Sequence, residues 1–137
     1  MKKTLVSVIS LMILLAGIAF ADDDKLTGLD GTSWKVEVEP DSMAKDKGEK
    51  EFHDTLTFAD GKLMTSEGPK LGFPSAAYTM SRSGDKDWSF TAEQASDAQG
   101  KYIWTGTIHE GDIKGKLVWT KLDGTVMTYT FKGDKKT

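Results

Sequence analysis

From Thr32 onward the chain repeats one pattern eight times: a short segment in which apolar, β-branched or aromatic residues alternate with polar ones, closed by a turn signal. A period of two sends alternate side chains to opposite faces of a strand, so each segment has one dry face and one wet face. Helical periodicity is nearly absent. A chain of this kind folds as an all-β domain.

The first strand is expected over Ser33–Glu39, where Trp34, Val36 and Val38 alternate with Lys35, Glu37 and Glu39. The second runs from Phe52 to Ala59, and Asp60-Gly61 supplies the left-handed backbone of a tight hairpin into a third, Lys62–Glu67. A fourth is expected over Ala76–Ser83. After Gly84 to Asp87 the fifth carries Trp88, Phe90 and Ala92 on one parity. The sixth presents Tyr102, Trp104 and Ile108, the seventh Ile113, Leu117 and Trp119, and the eighth Met127, Tyr129 and Phe131, with Glu110-Gly111 and Asp123-Gly124 turning the chain between them. Short turns favour pairing in order, and eight antiparallel strands in sequence can close on themselves and remove the edges that invite aggregation. The predicted architecture is a single eight-stranded antiparallel up-and-down barrel over 32–133, with a short tail, 134–137.

Two connections have spare length. Pro40–Lys50 is polar, rich in lysine and has room for one helical turn around Met43, whereas Gly68–Pro74 places Leu71 and Phe73 between glycines and prolines. Apolar side chains in such a loop fold over the open end of the barrel as a plug or form a lid over a ligand.

Ahead of the barrel, Met1-Lys2-Lys3, the apolar run Leu5–Ile18 and Ala19-Phe20-Ala21 have the three parts of a cleavable signal peptide, 1–21. The run is short for a bilayer span and is followed by Asp22-Asp23-Asp24, which opens a flexible acidic segment, 22–31. Ile18 stands where a lipid-anchoring signal requires cysteine. The expected location is therefore the periplasm or the medium, with no membrane attachment after cleavage.

Composition removes several functions. The net charge is −3, Arg82 is the sole arginine, and loss of Lys2 and Lys3 with the leader makes the domain more acidic still, so nucleic acid is not an expected partner. With no cysteine there is no disulfide, thiolate metal site or cysteine nucleophile. His53 and His109 lie on the wet parity and lack metal-ligand spacing, so no metal is expected, and no cofactor fingerprint occurs. No nucleophile elbow or phosphate loop is present. The chain is not expected to be an enzyme.

At Gly31-Thr32-Ser33-Trp34, opening the first of eight strands, and at Asp123-Gly124-Thr125 with Tyr129-Thr130-Phe131 near the end, the chain resembles the lipocalin-like or calycin-type small exported bacterial β-barrels. The resemblance covers most of the domain and implies the barrel rather than any particular ligand.

Eight strands enclose a space that side chains fill or that holds one small molecule. Trp34, Tyr78, Trp88, Trp104, Trp119 and Tyr129 share the inward parity and are the candidate lining for a small hydrophobic ligand. Asp54 and Arg82 share that parity as well, so they are candidate polar anchors that pair inside or at a rim, or else sit at strand ends in water. Leu71 and Phe73 are the candidate lid. Two functions stay open: a non-catalytic exported protein binding a small, largely apolar molecule in its barrel, or a filled barrel acting as an envelope interaction or inhibitor module through its loops.

Overall fold

A computed structural model describes residues 29–136; the expected signal peptide and most of the acidic segment after it lie outside the described residues. Among the described residues no helix is long and apolar enough to cross a membrane. The eight strands are β1 (Thr32–Pro40), β2 (Phe52–Ala59), β3 (Lys62–Thr65), β4 (Ala76–Arg82), β5 (Asp87–Ser96), β6 (Gly100–His109), β7 (Asp112–Thr120) and β8 (Val126–Lys135). Each pairs antiparallel with the next, and β8 returns to β1, so the sheet closes as an up-and-down barrel.

The turns match their sequence signals. Asp60 and Gly61 both take positive φ, 54° and 75°, the pair of left-handed residues that a two-residue hairpin needs. The β1–β2 connection holds one helical turn, α1 (Ser42–Asp46), capped by Asp41, whose Oδ1 accepts from Ala44 N at 2.9 Å. Between β3 and β4, Gly68–Leu71 forms a single 3₁₀ turn.

The inward faces fill the barrel. Trp34, Val36 and Val38 of β1, Leu56 and Phe58 of β2, Phe90 of β5, Trp104 of β6, Leu117 of β7 and Phe131 of β8 are all buried. Rings touch in a chain that crosses the interior: Tyr78 meets Phe58 at 4.9 Å, Phe58 meets Phe90 at 5.0 Å, Phe90 meets Phe131 at 6.4 Å, and Phe131 meets Trp104 at 5.4 Å. Mostly edge-to-face, these pairs add about 0.5–1.5 kcal/mol each beyond the area they bury.

Room for the two central phenylalanines comes from glycine. Gly106 of β6 and Gly115 of β7 face each other on the inward parity. A Cβ on Gly106 would stand 2.7 Å from the Phe90 ring and 2.9 Å from the Phe131 ring, and one on Gly115 would stand 2.8 Å from Phe131. The rings occupy the volume that two side chains would otherwise claim.

The segments depart from the sequence reading at a few ends. β8 runs two residues past the expected domain limit, to Lys135. β3 stops at Thr65 rather than Glu67. The Ser66 amide is shared between Thr55 O at 3.1 Å and the Asp54 carboxylate at 2.9 Å, and the Glu67 amide is turned to that carboxylate.

Candidate functional site

The connections α1–β2, β3–β4, β5–β6 and β7–β8 gather at one mouth of the barrel, where inward side chains meet the two long loops. Phe73 enters this mouth, is 0% exposed, and stacks on Tyr102 at 3.8 Å with planes 13° apart. Leu71, its partner in the sequence reading, is 40% exposed. The loop therefore contributes one side chain inside and one outside.

A set of polar side chains fastens this loop. Gln94, 0% exposed, donates from Nε2 to Pro74 O at 2.9 Å and accepts at Oε1 from Trp104 Nε1 at 2.9 Å. Ser96 Oγ donates to Leu71 O at 3.2 Å, and Thr65 Oγ1 accepts from Gly68 N at 2.9 Å. Asp54, 6% exposed, accepts at Oδ1 from Thr55 N, Ser66 N, Ser66 Oγ and Glu67 N at 2.8–3.1 Å. Burial pushes the Asp54 carboxyl above its ordinary range, and the bonds from Ser66, Glu67 and Thr55 pull it back.

On the opposite side of the mouth, Tyr129 donates its hydroxyl to Glu49 Oε1 at 2.5 Å. Lys121 lies 3.6 Å from Glu49 Oε2 and 4.6 Å over the Trp119 ring, whose Nε1 donates to Gln99 O at 2.7 Å. Burial, with Asp54 and Glu49 nearby, pushes the Tyr102 phenol up to about 12. Tyr129 is raised further, first by burial and then by its bond to Glu49.

The candidate lining does not converge on one space. Trp104, Trp119 and Tyr129 line or floor the plugged mouth, and Trp34 is buried, with Nε1 donating to Thr32 Oγ1 at 3.0 Å. Tyr78 is half-buried against Phe58, and Trp88 is half-buried toward the other mouth.

Asp54 and Arg82 do not pair. Arg82 is exposed at the end of β4, donates to Gly84 O at 3.0 Å and Asp85 O at 2.8 Å, and lies 5.2 Å over the Trp88 ring. A charge at the last residue of a strand reaches water and turn carbonyls without bending the strand, whereas Asp54 in mid-strand satisfies itself on backbone. Gln94 and the glycine pair were not singled out from the sequence. The signal for Gln94 is its parity, shared with Phe90 and Ala92.

Concave space lies on the outside of the barrel. Two adjoining hollows of about 600 and about 690 Å³ run over the outer faces of β6, β7, β8 and β1, sharing Glu37, Thr107, Lys114 and Lys132. Lys116, Thr105 and Thr130 extend the first, and Asp112, Asp134 and His109 the second. A smaller hollow of about 350 Å³ lies at the β3–β4 seam beside Met64, Pro69 and Phe73.

Glu37, Glu51 and His53 come nearest to a metal-ligand set among the described residues, with ligand atoms within 4.8 Å of one another. A hydrogen bond with Glu37 raises the Glu51 carboxyl. The group stands on open surface. His109 is also exposed, bonded through Nδ1 to Asp87 and 3.3 Å from Glu110 through Nε2.

These features define a closed, eight-stranded, all-antiparallel β-barrel with a ring-filled interior and a concave outer wall. Compared with known proteins, the chain matches no family model, no curated protein and no solved structure.

Proposed function

We propose that this chain is a non-catalytic exported binding module that engages its partner from the outer wall of the barrel. The observation that carries this reading is the contrast between the two sides of the sheet. Inside, rings are in contact from Tyr78 to Trp104 and Phe73 fills the mouth; outside, the two hollows offer the open concave space. The closed up-and-down architecture is consistent with the lipocalin-like resemblance, and the acidic, cysteine-free composition is consistent with an exported domain held together by packing.

A second reading, a small, largely apolar ligand in the barrel, has one observation in its favour. Asp54 takes its hydrogen bonds on Oδ1 alone, and the Tyr102 hydroxyl, on a side chain 6% exposed, finds no hydrogen-bond partner among the described residues. A ligand displacing Phe73 would reach both.

Amide shift mapping separates the two. ¹⁵N-labelled domain is titrated with an extract of the producing organism's cell envelope and, separately, with a fatty-acid-like probe. The outer-wall reading expects shifts at Thr105, Lys114, Lys116 and Thr130 with the extract, and no saturable tryptophan quenching by the probe. Shifts confined to the Trp119 and Trp104 indoles, with saturable quenching, would replace it by the interior reading.

A further inference from the structure

On the outer wall the strand register brings lysines together. Lys114 of β7 faces Lys132 of β8 directly, and Lys116 lies two residues along β7 facing Thr130. Facing residues in an antiparallel pair have Cβ atoms about 5 Å apart, and like charges so placed destabilise the sheet. Residues two apart on one strand are about 7 Å apart on the same face.

The neighbouring carboxylates do not come within ion-pair distance of this triangle. Glu37 faces Lys132 in the register, but its carboxylate lies 3.7 Å from His53 Nε2 and is hydrogen-bonded with Glu51, and Glu39 lies 4.0 Å from Lys45. Among the described residues none of the three lysines forms an ion pair, while Lys70, Lys86, Lys101 and Lys121 all do. Three ammonium groups are thus held on a hollow of about 600 Å³ that Glu37 and Glu39 also line, and among the described residues none of the three has a carboxylate within ion-pair distance.

Beside the lysines the hollow is lined by hydroxyls, with Gly106, Gly115 and Phe131 as its floor and Glu37 and Glu39 on its β1 side. Thr105 faces Lys116, Thr107 faces Lys114, and Ser89 and Thr130 complete the surround. No aromatic side chain stands exposed in it to stack a nucleobase or a neutral sugar. β7 is paired on both edges, so its backbone is not open to an added peptide strand. At the far end Asp112 faces Asp134 and repels an anion there, which limits the attractive stretch to the lysines.

We propose that Lys114, Lys116 and Lys132 form a binding site for an acidic polysaccharide carrying one carboxylate or sulfate on successive sugars. The ammonium groups, separated by about the length of a sugar unit, take the anionic groups, and Ser89, Thr105, Thr107 and Thr130 take the sugar hydroxyls. Contact relieves the Lys114–Lys132 repulsion, so binding and the relief of repulsion are coupled. The association is electrostatic and weakens as salt is added. This inference rests on the outer-wall reading and names the partner's chemistry.

The test is calorimetric titration of the whole exported domain with polygalacturonate, its fully methyl-esterified form, polyglutamate and inorganic phosphate, with amide shifts recorded in parallel. Wild-type protein is expected to bind polygalacturonate with shifts at Lys114, Lys116 and Lys132 and to ignore the ester. Lys114→Gln with Lys132→Gln should weaken binding about tenfold, while Lys50→Gln with Lys62→Gln should change it less than about twofold. Removing two facing charges is not expected to unfold the barrel, and its thermal midpoint checks this.

Equal affinity for polyglutamate would overturn the polysaccharide assignment, since charge alone would then suffice. Equal loss in both double variants would overturn the site, and phosphate displacing the polymer at equal charge would reduce it to a general anion site. If no polysaccharide binds but envelope extract still shifts the outer-wall amides, the inference fails and the outer-wall reading stands. If neither shifts them and the apolar probe quenches, both fail.

Discussion

Two stretches of the barrel wall close by different means. From β5 through β8 the ladders are long: β5 and β6 stay in register from Asp87↔His109 to Ser96↔Gly100, and β7 and β8 from Asp112↔Asp134 to Thr120↔Val126. Between β3 and β4 the register is two pairs, Lys62↔Ala77 and Leu63↔Ala76, because the 3₁₀ turn carries the chain away from the sheet. Where backbone pairing lapses, side chains take over the closure: Asp54 holds the end of β3, Gln94 and Ser96 hold the loop carbonyls, and Phe73 fills the gap. A long ladder spreads its stabilisation over many equivalent bonds. The seam concentrates it in four residues, so single substitutions should separate the two.

The largest expected effect is Phe73→Ala. Truncating a fully buried ring stacked on Tyr102 leaves a cavity and should cost about 3–5 kcal/mol in chemical denaturation. Leu71→Ala, from a side chain 40% exposed, should cost under about 1 kcal/mol. A small loss for Phe73→Ala together with new saturable probe binding would make Phe73 a lid over a ligand space rather than a plug.

Asp54→Ala comes next. Three backbone amides and one hydroxyl lose a shared acceptor, for an expected loss of about 2–4 kcal/mol. Asp54→Asn keeps an oxygen in place and removes a charge that burial disfavours, so it should cost distinctly less. Hydrogen exchange should show the amide of Glu67 opening first in the alanine variant, with Ser66 still held by Thr55 O. Exchange rising instead along β5–β6 would mean the seam is not where the barrel opens.

The wall has its own weak point in packing rather than pairing. Gly115→Ala would place a methyl group 2.8 Å from the Phe131 ring and 2.1 Å from Thr105 O, and overpacking of this kind should cost about 1–3 kcal/mol. High pH acts on the mouth. Tyr102 is raised from 10 to about 12, so its contribution is fully present below pH 10 and is lost as pH rises through 12. Tyrosinate absorbance and unfolding should therefore rise together across that window, and Tyr102→Phe should remove part of the loss.

Much of the barrel was legible because a half-buried antiparallel strand writes its period directly into the sequence. Trp34-Lys35-Val36-Glu37-Val38-Glu39 reads as β1 without further help, and Asp60-Gly61 reads as the hairpin that it forms. β2 begins and ends at the residues expected, and the helical turn falls around Met43. Less legible was what the inward parity does with a polar residue. Asp54 and Arg82 carry the same signal, yet one is clasped by backbone amides in mid-strand and the other reaches water from a strand end, a difference set by position along the strand. The Lys114–Lys132 pairing required the register between β7 and β8, which alternation alone leaves open by two residues at a time.

The smallest expected effect sets an exposed aspartate of the long wall against the buried one of the seam. Asp87 faces His109 at the end of the β5–β6 ladder, and their side chains are hydrogen-bonded in the open. The bond and charge of Asp87, followed by the charges of Glu110 and Asp112, raise His109 above its usual 6.5. A histidine raised on folding stabilises the fold below the unfolded value and loses that contribution as pH rises through the folded one, so the protein should be marginally more stable below pH 6.5 than above the folded pKa. Asp87→Asn should bring the His109 imidazole titration, followed by NMR, back toward 6.5 while leaving the thermal midpoint nearly unchanged, because exposed ion pairs contribute little. A midpoint drop comparable to that of Asp54→Ala would mean that the wall, too, depends on a single side-chain clasp, and the contrast between wall and seam would then be lost.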